Sequence, residues 1–235
     1  MTKVDLYGGR DPRDLPTYTL AEVAKYTGVL KATLRTWVVG RSYPTESGAK
    51  FSPPIIALPE EGQLILSFIN LVEVHVLAAI RKQHKVPLPK VRDALDYIDD
   101  IFPTGHPLAH ERFRTDGINL FIEKYGQLIN VTRSGQLAMR DMIEQHLKRI
   151  EHDHKGVALR LYPLFARTPD QEAPKVVVID PRISFGRAVL AGTNIPIEML
   201  AERWTAGETL DELANDYDYN KFDIEKAIQY ELQAA

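Results

Sequence analysis

VVVIDPRISFGRAVLAGTNIPI, residues 176–197, decides the fold of the last third of this chain. The four apolar residues at its start predict a buried strand, which the Asp180-Pro181 turn ends. Gly186 and Gly192 permit backbone angles that other residues resist, so the apolar residues between them predict a short return strand. We therefore expect a small β-hairpin here.

Three amphipathic helices are predicted after this hairpin. Pro196 suits the first turn of the first helix, which Gly207 ends. Thr209 and Glu212 form a capping box that begins the second helix, and Asn220 caps the third. The inward-facing residues at helical spacing are Ile197, Leu200, Ala201, Trp204, Leu210, Leu213, Ala214, Tyr217, Ile224, Ala227, Ile228 and Leu232. The chain should thus end in a three-helix, homeodomain-like bundle.

Composition favours an ordinary globular protein. The 235 residues are 44% hydrophobic and 26% charged, and no apolar run reaches membrane-spanning length. The first residues lack the apolar core of a signal peptide, so a cytoplasmic location is expected. The absence of cysteine excludes disulfides, thiolate nucleophiles and cysteine-ligated zinc.

Charge is distributed unevenly along the chain. The net charge is -3, which argues against a protein that coats nucleic acid indiscriminately. Residues 19–50, however, carry five bases against two acids, whereas residues 198–235 carry ten acids against three bases. The two ends of the chain are therefore expected to bind different partners.

The basic end has the pattern of a helix-turn-helix. Thr19 and Glu22 form a capping box, a turn follows at residues 27–29, and Leu34 and Trp37 mark a second helix. The start of a recognition helix presents side chains to the major groove. With the residues that follow it, the expected DNA-binding set is Lys31, Thr33, Arg35, Thr36, Arg41, Ser42, Tyr43 and Lys50.

Residues 28–40, GVLKATLRTWVVG, resemble the MerR-like winged helix-turn-helix family, which has a TLR triplet on its recognition helix. The resemblance spans about residues 17–101 and implies a wing, with Arg41 at its base and Lys50 beyond a turn at Gly48. We accordingly assign residues 1–101 to a DNA-binding region. Residues 71, 74, 77 and 80 of the long helix that follows are expected to be core.

Residues 102–166 are predicted to form a hairpin-helix extension. Alternation around Tyr125-Gly126 predicts two strands, and the next helix should carry Met139, Ile143, Leu147 and Ile150 on one stripe. Residues 157–161 alternate again and predict another strand. This extension could pack on the winged helix or form a homodimer interface with a second copy.

No metal, cofactor or catalytic site is predicted. His146, His152 and His154 invite a metal-site interpretation, but they are expected at a helix end, where histidines can meet the last carbonyls. Residues 186–193 lack the lysine and glycine spacing of a phosphate-binding loop. The C-terminal acids match solvated helix faces, so we predict that the chain is not an enzyme.

Residues 167–174, RTPDQEAP, are predicted to be a linker, and residues 175–235 are similar to a family of small antitoxin-associated domains of unknown function. The similarity rests on Asp180-Pro181, Gly186, Gly192-Thr193 before Ile195-Pro196, Gly207-Glu208, Glu212-Leu213 and residues 224–230. Asn194 stands where arginine is frequent, and Ala188 where proline is frequent.

A MerR-like region joined to such a domain resembles the large VapB-type antitoxins. The resemblance implies a homodimer that represses its own operon and neutralises a PIN-domain ribonuclease toxin encoded beside it. No tail follows Leu232, so we expect a folded surface to bind the toxin. Arg182, Arg187 and Asn194 are candidate toxin contacts, although the arginines could equally secure the hairpin.

Other functions remain open at this stage. The C-terminal helices could mediate assembly or form a second DNA-binding module, although ten acids would be repelled by phosphates. The whole chain could instead be a MerR-like, ligand-responsive transcription regulator. The fold class expected in every case is mainly α with small β-hairpins.

Overall fold

The structure is a computed structural model that describes residues 7–45, 48–82, 88–129, 132–164 and 174–233. It is a mixed α+β fold, mainly helical, as the sequence predicts. The described residues form three small antiparallel sheets. One hydrophobic core runs through them from Tyr18 to Tyr230.

The N-terminal region is a helix-turn-helix followed by a β-hairpin wing. The Thr19–Glu22 capping box is present, and Gly28, in the left-handed conformation with φ 68°, ends the first helix as predicted. Strands β1 and β4 pair beside the helices, and β2 and β3 form the wing. The elements are β1 Tyr18–Thr19, α1 Leu20–Thr27, α2 Lys31–Val39, β2 Arg41–Thr45, β3 Gly48–Ser52 and β4 Ile65–Leu66.

Close backbone contacts attach the wing to the end of α2. Gly40 has φ 84°, and a Cβ there would lie 2.5 Å from the Ser52 carbonyl oxygen, so only glycine fits without a shift. The backbone N–H groups of Ile55 and Ile56 donate to the Trp37 carbonyl oxygen at 2.8 and 3.1 Å. The wing is thereby held in a defined position beside the recognition helix.

The middle of the chain is a helical layer around α3, most of whose residues are buried. Helix α3 packs against α1 and α6, and α4 packs against α5. The elements are α3 Phe68–Lys82, α4 Leu88–Ile101, a 3-10 helix Pro107–Ala109, a π-helical turn Phe113–Gly117, α5 Ile118–Ile129, α6 Arg133–Leu147, β5 Ile150–His152 and β6 Ala158–Leu161. The extension therefore has an intramolecular core.

The strand pair predicted around Tyr125-Gly126 is wrong, because residues 118–129 form helix α5. Ile118, Phe121, Ile122 and Tyr125 are all buried, and their spacing of three and four residues is that of one helical face. The alternation that suggested strands shares Ile118 and Ile122 with this pattern, whereas Leu120 is only partly buried. Ile150, expected on the stripe of α6, instead lies buried in β5, because α6 ends at Leu147.

The C-terminal hairpin forms as predicted, but it belongs to a larger sheet. Leu161 of β6 pairs with Ile179 of β7, which gives the strand order β5-β6-β7-β8. The expected linker lies outside the described residues except for Pro174. The elements are β7 Val177–Ile179, a 3-10 turn Ser184–Gly186, β8 Ala188–Leu190, α7 Ile197–Thr205, α8 Leu210–Tyr217 and α9 Lys221–Gln233.

The three predicted C-terminal helices are confirmed with their caps. Thr209 and Glu212 form the capping box of α8, and Asn220 Oδ1 accepts a hydrogen bond from the Phe222 N–H at 2.8 Å. Trp204 and Leu232 were expected in the core, but they are 44% and 45% exposed. Trp204 lies in the last turn of α7 and Leu232 in the last turn of α9, beyond the buried stripes of these helices. None of the described helices is both long and apolar enough to cross a membrane.

Candidate nucleic-acid interface and C-terminal hairpin

Helix α2 buries one face and presents basic residues on the other. Leu34, Trp37 and Val38 are buried, whereas Lys31 and Arg35, one turn apart, are exposed. No described carboxylate forms an ion pair with either cation. Both side chains are therefore available for an anionic partner.

The register of the wing sorts its predicted residues onto two faces. Tyr43 pairs with Lys50, and Arg41 pairs with Ser52, so these four side chains share one face of the hairpin. Ser42 lies on the opposite face. The structure therefore groups Arg41, Tyr43 and Lys50 and separates Ser42 from them.

A groove of about 760 Å³ lies between α2, the wing and helices α3 and α4. The described residues that line it contribute hydroxyl, indole and guanidinium groups but no carboxylate. A cleft lined by donors and positive charge is suited to phosphate oxygens. Its lining residues are Ala32, Thr33, Thr36, Trp37, Arg41, Tyr43, Ser52, Arg81, Leu88 and Pro89.

Arg81 of α3 is a residue of this groove that the sequence analysis missed. Its Cζ lies 5.9 Å from the centroid of the Trp37 ring, and burial lowers the pKa of its guanidinium. Arginine still remains charged in proteins, so the groove retains a fixed positive group. The long helix was interpreted as core, and the signal that could have identified Arg81 is the arginine directly after its apolar stripe.

The predicted DNA-binding residues thus fall into two sets. Thr33, Thr36, Arg41 and Tyr43 line the groove with Arg81, whereas Lys31, Arg35, Ser42 and Lys50 do not. The Thr36 hydroxyl donates to the Thr33 carbonyl oxygen at 2.7 Å, so it can only accept a further hydrogen bond. Lys31 lines a different groove, of about 780 Å³, between the turn after α1 and the end of α9.

Among the candidate toxin contacts, Arg182 is bound within the hairpin. Its Nε and Nη2 donate to Asp180 at 2.9 and 2.7 Å, and Arg160 also reaches this carboxylate, at 3.0 Å. Burial alone would raise the pKa of Asp180, but the hydrogen bonds from Arg182 and Arg160 outweigh it and lower the pKa. Arg182 therefore compensates the buried charge of Asp180, which agrees with the alternative prediction that this arginine secures the hairpin.

Arg187 and Asn194 are both exposed near the same hairpin. Arg187 lines a groove of about 260 Å³ that also contains Lys25, Glu198 and Glu231, and no described carboxylate forms an ion pair with it. The carbonyl oxygen of Asn194 accepts a hydrogen bond from the Ser184 hydroxyl at 3.0 Å. Among the described residues, no hydrogen bond to the Asn194 side chain is present.

The turn between β7 and β8 has an unusual backbone that the sequence did not reveal. Ser184, Phe185 and Gly186 all have positive φ, at 47°, 54° and 78°. Only the glycine was expected to need such angles. Phe185 is 73% exposed at the outside of the turn.

The histidines near the end of α6 lie on different elements. His146 is in the last turn of α6, and its Nδ1 lies 3.0 Å from the Met142 carbonyl oxygen, which matches the helix-end prediction. The helix-end prediction is wrong for His152 and His154, because α6 ends at Leu147. His152 is in strand β5, where burial lowers its pKa to about 4, and His154 follows it in a turn. Within the described ranges, no group of three or more histidine, aspartate or glutamate side chains is arranged to hold a metal ion.

Comparisons with known proteins agree with this arrangement. Residues 16–95 match a family described as "Putative DNA-binding HTH domain", and residues 177–230 match "Protein of unknown function (DUF433)". "Putative antitoxin VapB45" of Mycobacterium tuberculosis is 33% identical over 222 residues, covering 87% of this chain and 89% of that protein. "Uncharacterized protein Rv2308" of the same organism is 27% identical, covering 92% of this chain and 90% of that protein.

A solved structure has the same fold. The X-ray crystal structure of Rv2018 from Mycobacterium tuberculosis superposes with a TM-score of 0.66 at 23% sequence identity. The match covers 91% of this chain and 98% of that chain. The arrangement of a helix-turn-helix, a helical middle and a C-terminal hairpin with helices is thus a shared fold.

Proposed function

The chain belongs to the family of large VapB-type antitoxins, and from this premise we propose that it neutralises a PIN-domain ribonuclease toxin and represses its own operon. Toxin neutralisation would occur by direct binding, and repression by binding operator DNA as a homodimer. Family membership rests on 33% identity over 87% of the chain, together with the matched helix-turn-helix and C-terminal domain. A protein that binds operator DNA acts in the cytoplasm.

The observation that carries the DNA-binding part is the groove between α2 and the wing. Arg41 and Arg81 provide positive charge there, and no carboxylate is among the described lining residues. Arg35 is exposed on the adjoining helix face. Phosphate contacts would position the protein, and a side chain of α2 would read base edges in the major groove. We assign the phosphate role to Arg41 and Arg81 and the base-reading role to Arg35.

The toxin-binding part is assigned to the C-terminal domain. Its helices carry ten acids against three bases from residue 198 onward, so phosphates would repel them. The same charge complements a basic, RNA-binding protein. This supports a division of labour in which the two ends of the chain bind DNA and toxin separately.

Co-expression with the neighbouring reading frame tests the proposal. The full chain should rescue cells from growth arrest by that gene product and co-purify with it. It should also bind a promoter fragment from upstream of the two genes in a mobility-shift assay. Promoter binding without rescue or co-purification would favour the ligand-responsive regulator, and failure of all three would reject the proposal.

A further inference from the structure

The turn between β7 and β8 holds a large apolar side chain in solvent. Phe185 is 73% exposed, although phenylalanine is usually buried. A single exposed apolar side chain is common and needs no functional explanation by itself. The backbone of Phe185 is what distinguishes it from other exposed residues.

Phe185 has φ 54° and ψ 36°, the left-handed conformation that bulky residues rarely adopt. Ser184 before it has φ 47°, so two consecutive residues with side chains are held in this region. Glycine would occupy either position at less cost. The turn itself therefore does not explain the phenylalanine, and backbone strain of this kind tends to occur at functional sites.

Hydrogen bonds within the turn, and one from Tyr18 of β1, hold the turn in place. The N–H of Ile183 donates to the Asp180 carbonyl oxygen, and that of Gly186 to Ile183, both at 2.9 Å. The Tyr18 hydroxyl donates to the Gly186 carbonyl oxygen at 2.9 Å. An aromatic side chain on a rigid turn loses little conformational entropy when it binds, which is the property of a preorganised anchor.

The turn that carries Phe185 also carries two exposed cations. Arg182 and Arg187 lie on either side of Phe185 in the sequence, and the one acid of the turn, Asp180, has only 1% of its side chain exposed. Arg187 also lines the groove that contains Glu198 and Glu231. We call Arg182, Phe185, Arg187 and Asn194 the hairpin tip. It presents one apolar ring flanked by exposed positive charge.

We propose that the hairpin tip is the anchor by which this chain holds its toxin, with Phe185 entering an apolar cavity whose rim carries carboxylates. Arg187, which has no described carboxylate in an ion pair, meets that rim. This inference rests on the proposed antitoxin function and names the surface that performs it. A lone aromatic ring among charges suits a separable partner better than a permanent homodimer, whose interface core is more extensively apolar.

The test replaces Phe185 by glycine in the full chain and measures affinity for the purified product of the neighbouring reading frame. Affinity should fall by roughly 10-fold or more, as for an interface hot spot. The melting temperature should stay level or rise, because glycine adopts this backbone without strain and no buried packing is lost. Phe185→Trp should retain binding.

Leu137→Ala is the matched control, since Leu137 is an apolar side chain that is 57% exposed on α6, outside the C-terminal domain. It should leave affinity unchanged. Equal affinity of Phe185→Gly and the unchanged chain overturns the inference but leaves the antitoxin function standing. A lower melting temperature with weaker binding assigns Phe185 a structural role and also overturns it.

Two further outcomes separate the inference from its premise. If the unchanged chain does not bind the neighbouring gene product, the antitoxin function fails and the anchor fails with it. If Phe185→Gly keeps its toxin affinity but loses a dimer in sedimentation, the occupant is a second copy and the proposal is rejected. Loss of toxin affinity with an unchanged dimer supports the toxin as occupant.

Discussion

At the scale of single residues, the base-reading role that we propose for Arg35 can be tested directly, because Arg35 is exposed on α2 while Leu34 and Trp37 are buried. Arg35→Ala should weaken operator binding by about 1–3 kcal/mol and relax sequence discrimination. Fluorescence anisotropy with operator and scrambled duplexes measures both quantities. Arg133→Ala, which removes an exposed arginine from the start of α6, serves as the control.

Unchanged affinity and an unchanged salt dependence for Arg35→Ala would remove this residue from the interface. If affinity falls but discrimination survives, Arg35 contacts phosphate and another residue of α2 reads the bases. The first result would exclude Arg35 from the interface, and the second would assign it a phosphate contact.

Arg81 should contribute to phosphate binding from outside the helix-turn-helix. Arg81→Gln should weaken binding to all duplexes alike, and the slope of log affinity against log salt should fall by about 1. Arg81→Lys should restore much of the slope, because it retains the charge. Since Arg81 stacks on Trp37, tryptophan fluorescence is the control for local structure. A slope equal to that of the unchanged chain would contradict this role.

At the scale of elements, the packing of α3 on α6 depends on a buried neutral histidine. The His75 ring lies 5.0 Å from the His146 ring, and its Nε2 lies 3.2 Å from the His146 carbonyl oxygen. Burial, with a smaller effect of the neighbouring His146, lowers the pKa of His75 to about 3. The folded protein therefore excludes a proton that the unfolded chain binds below its ordinary histidine pKa.

This difference predicts that acid weakens the α3–α6 contact. Between the unfolded pKa near 6.5 and the folded pKa of about 3, the unfolded state binds more protons, so stability falls as pH falls. When the pH falls from 7.5 to 5.5, His75 should lower the free energy of unfolding by on the order of 1 kcal/mol. Urea unfolding at the two pH values measures it.

His75→Gln keeps a donor for the His146 carbonyl oxygen but cannot titrate, so its stability should vary less over the same pH range. The difference in pH dependence between this variant and the unchanged chain isolates the contribution of His75, because all other titrating groups are common to both proteins. An identical pH dependence in the two proteins would show that His75 is not the group responsible.

The elements also indicate what sequence patterns can predict. Helices with side-chain caps, such as α8 with Thr209 and Glu212, are specified locally and were predicted with their starting residues. Helix α5 was missed because its buried residues at positions 118 and 122 fit both a period of two and a helical period. Tertiary packing decides between them, since Gly126 lets Gln136 of α6 approach closely. Periodicity alone contains no information about that neighbour.

The candidate site shows the same limit. Exposed cations on α2 and the wing could be named from the pattern, but Arg81 joins them only through the packing of α3 beneath Trp37. The turn that contains Phe185 is likewise contacted by a residue far away in sequence, because the Tyr18 hydroxyl donates to the Gly186 carbonyl oxygen. Contacts between residues far apart in sequence therefore account for the residues that were missed.

At the scale of the whole molecule, the DNA-facing and C-terminal regions are packed together. Lys25 of α1 forms an ion pair with Glu231 of α9, and the Tyr230 hydroxyl donates to the Tyr26 carbonyl oxygen at 3.3 Å. Strands β6 and β7 pair across the expected linker, and the described core is continuous. The two regions thus share one folded body in the described residues.

This continuity predicts that the chain unfolds in a single cooperative transition. In calorimetry, the van't Hoff and calorimetric enthalpies should agree. Tyr18→Phe should lower the single melting temperature, because it leaves the buried Gly186 carbonyl oxygen without its 2.9 Å donor. That loss costs about 1–3 kcal/mol, which corresponds to a few degrees, at about 2–4 °C per kcal/mol for a chain of this size. Two separate transitions, with only one of them shifted by Tyr18→Phe, would instead show that residues 175–235 fold as an independent unit.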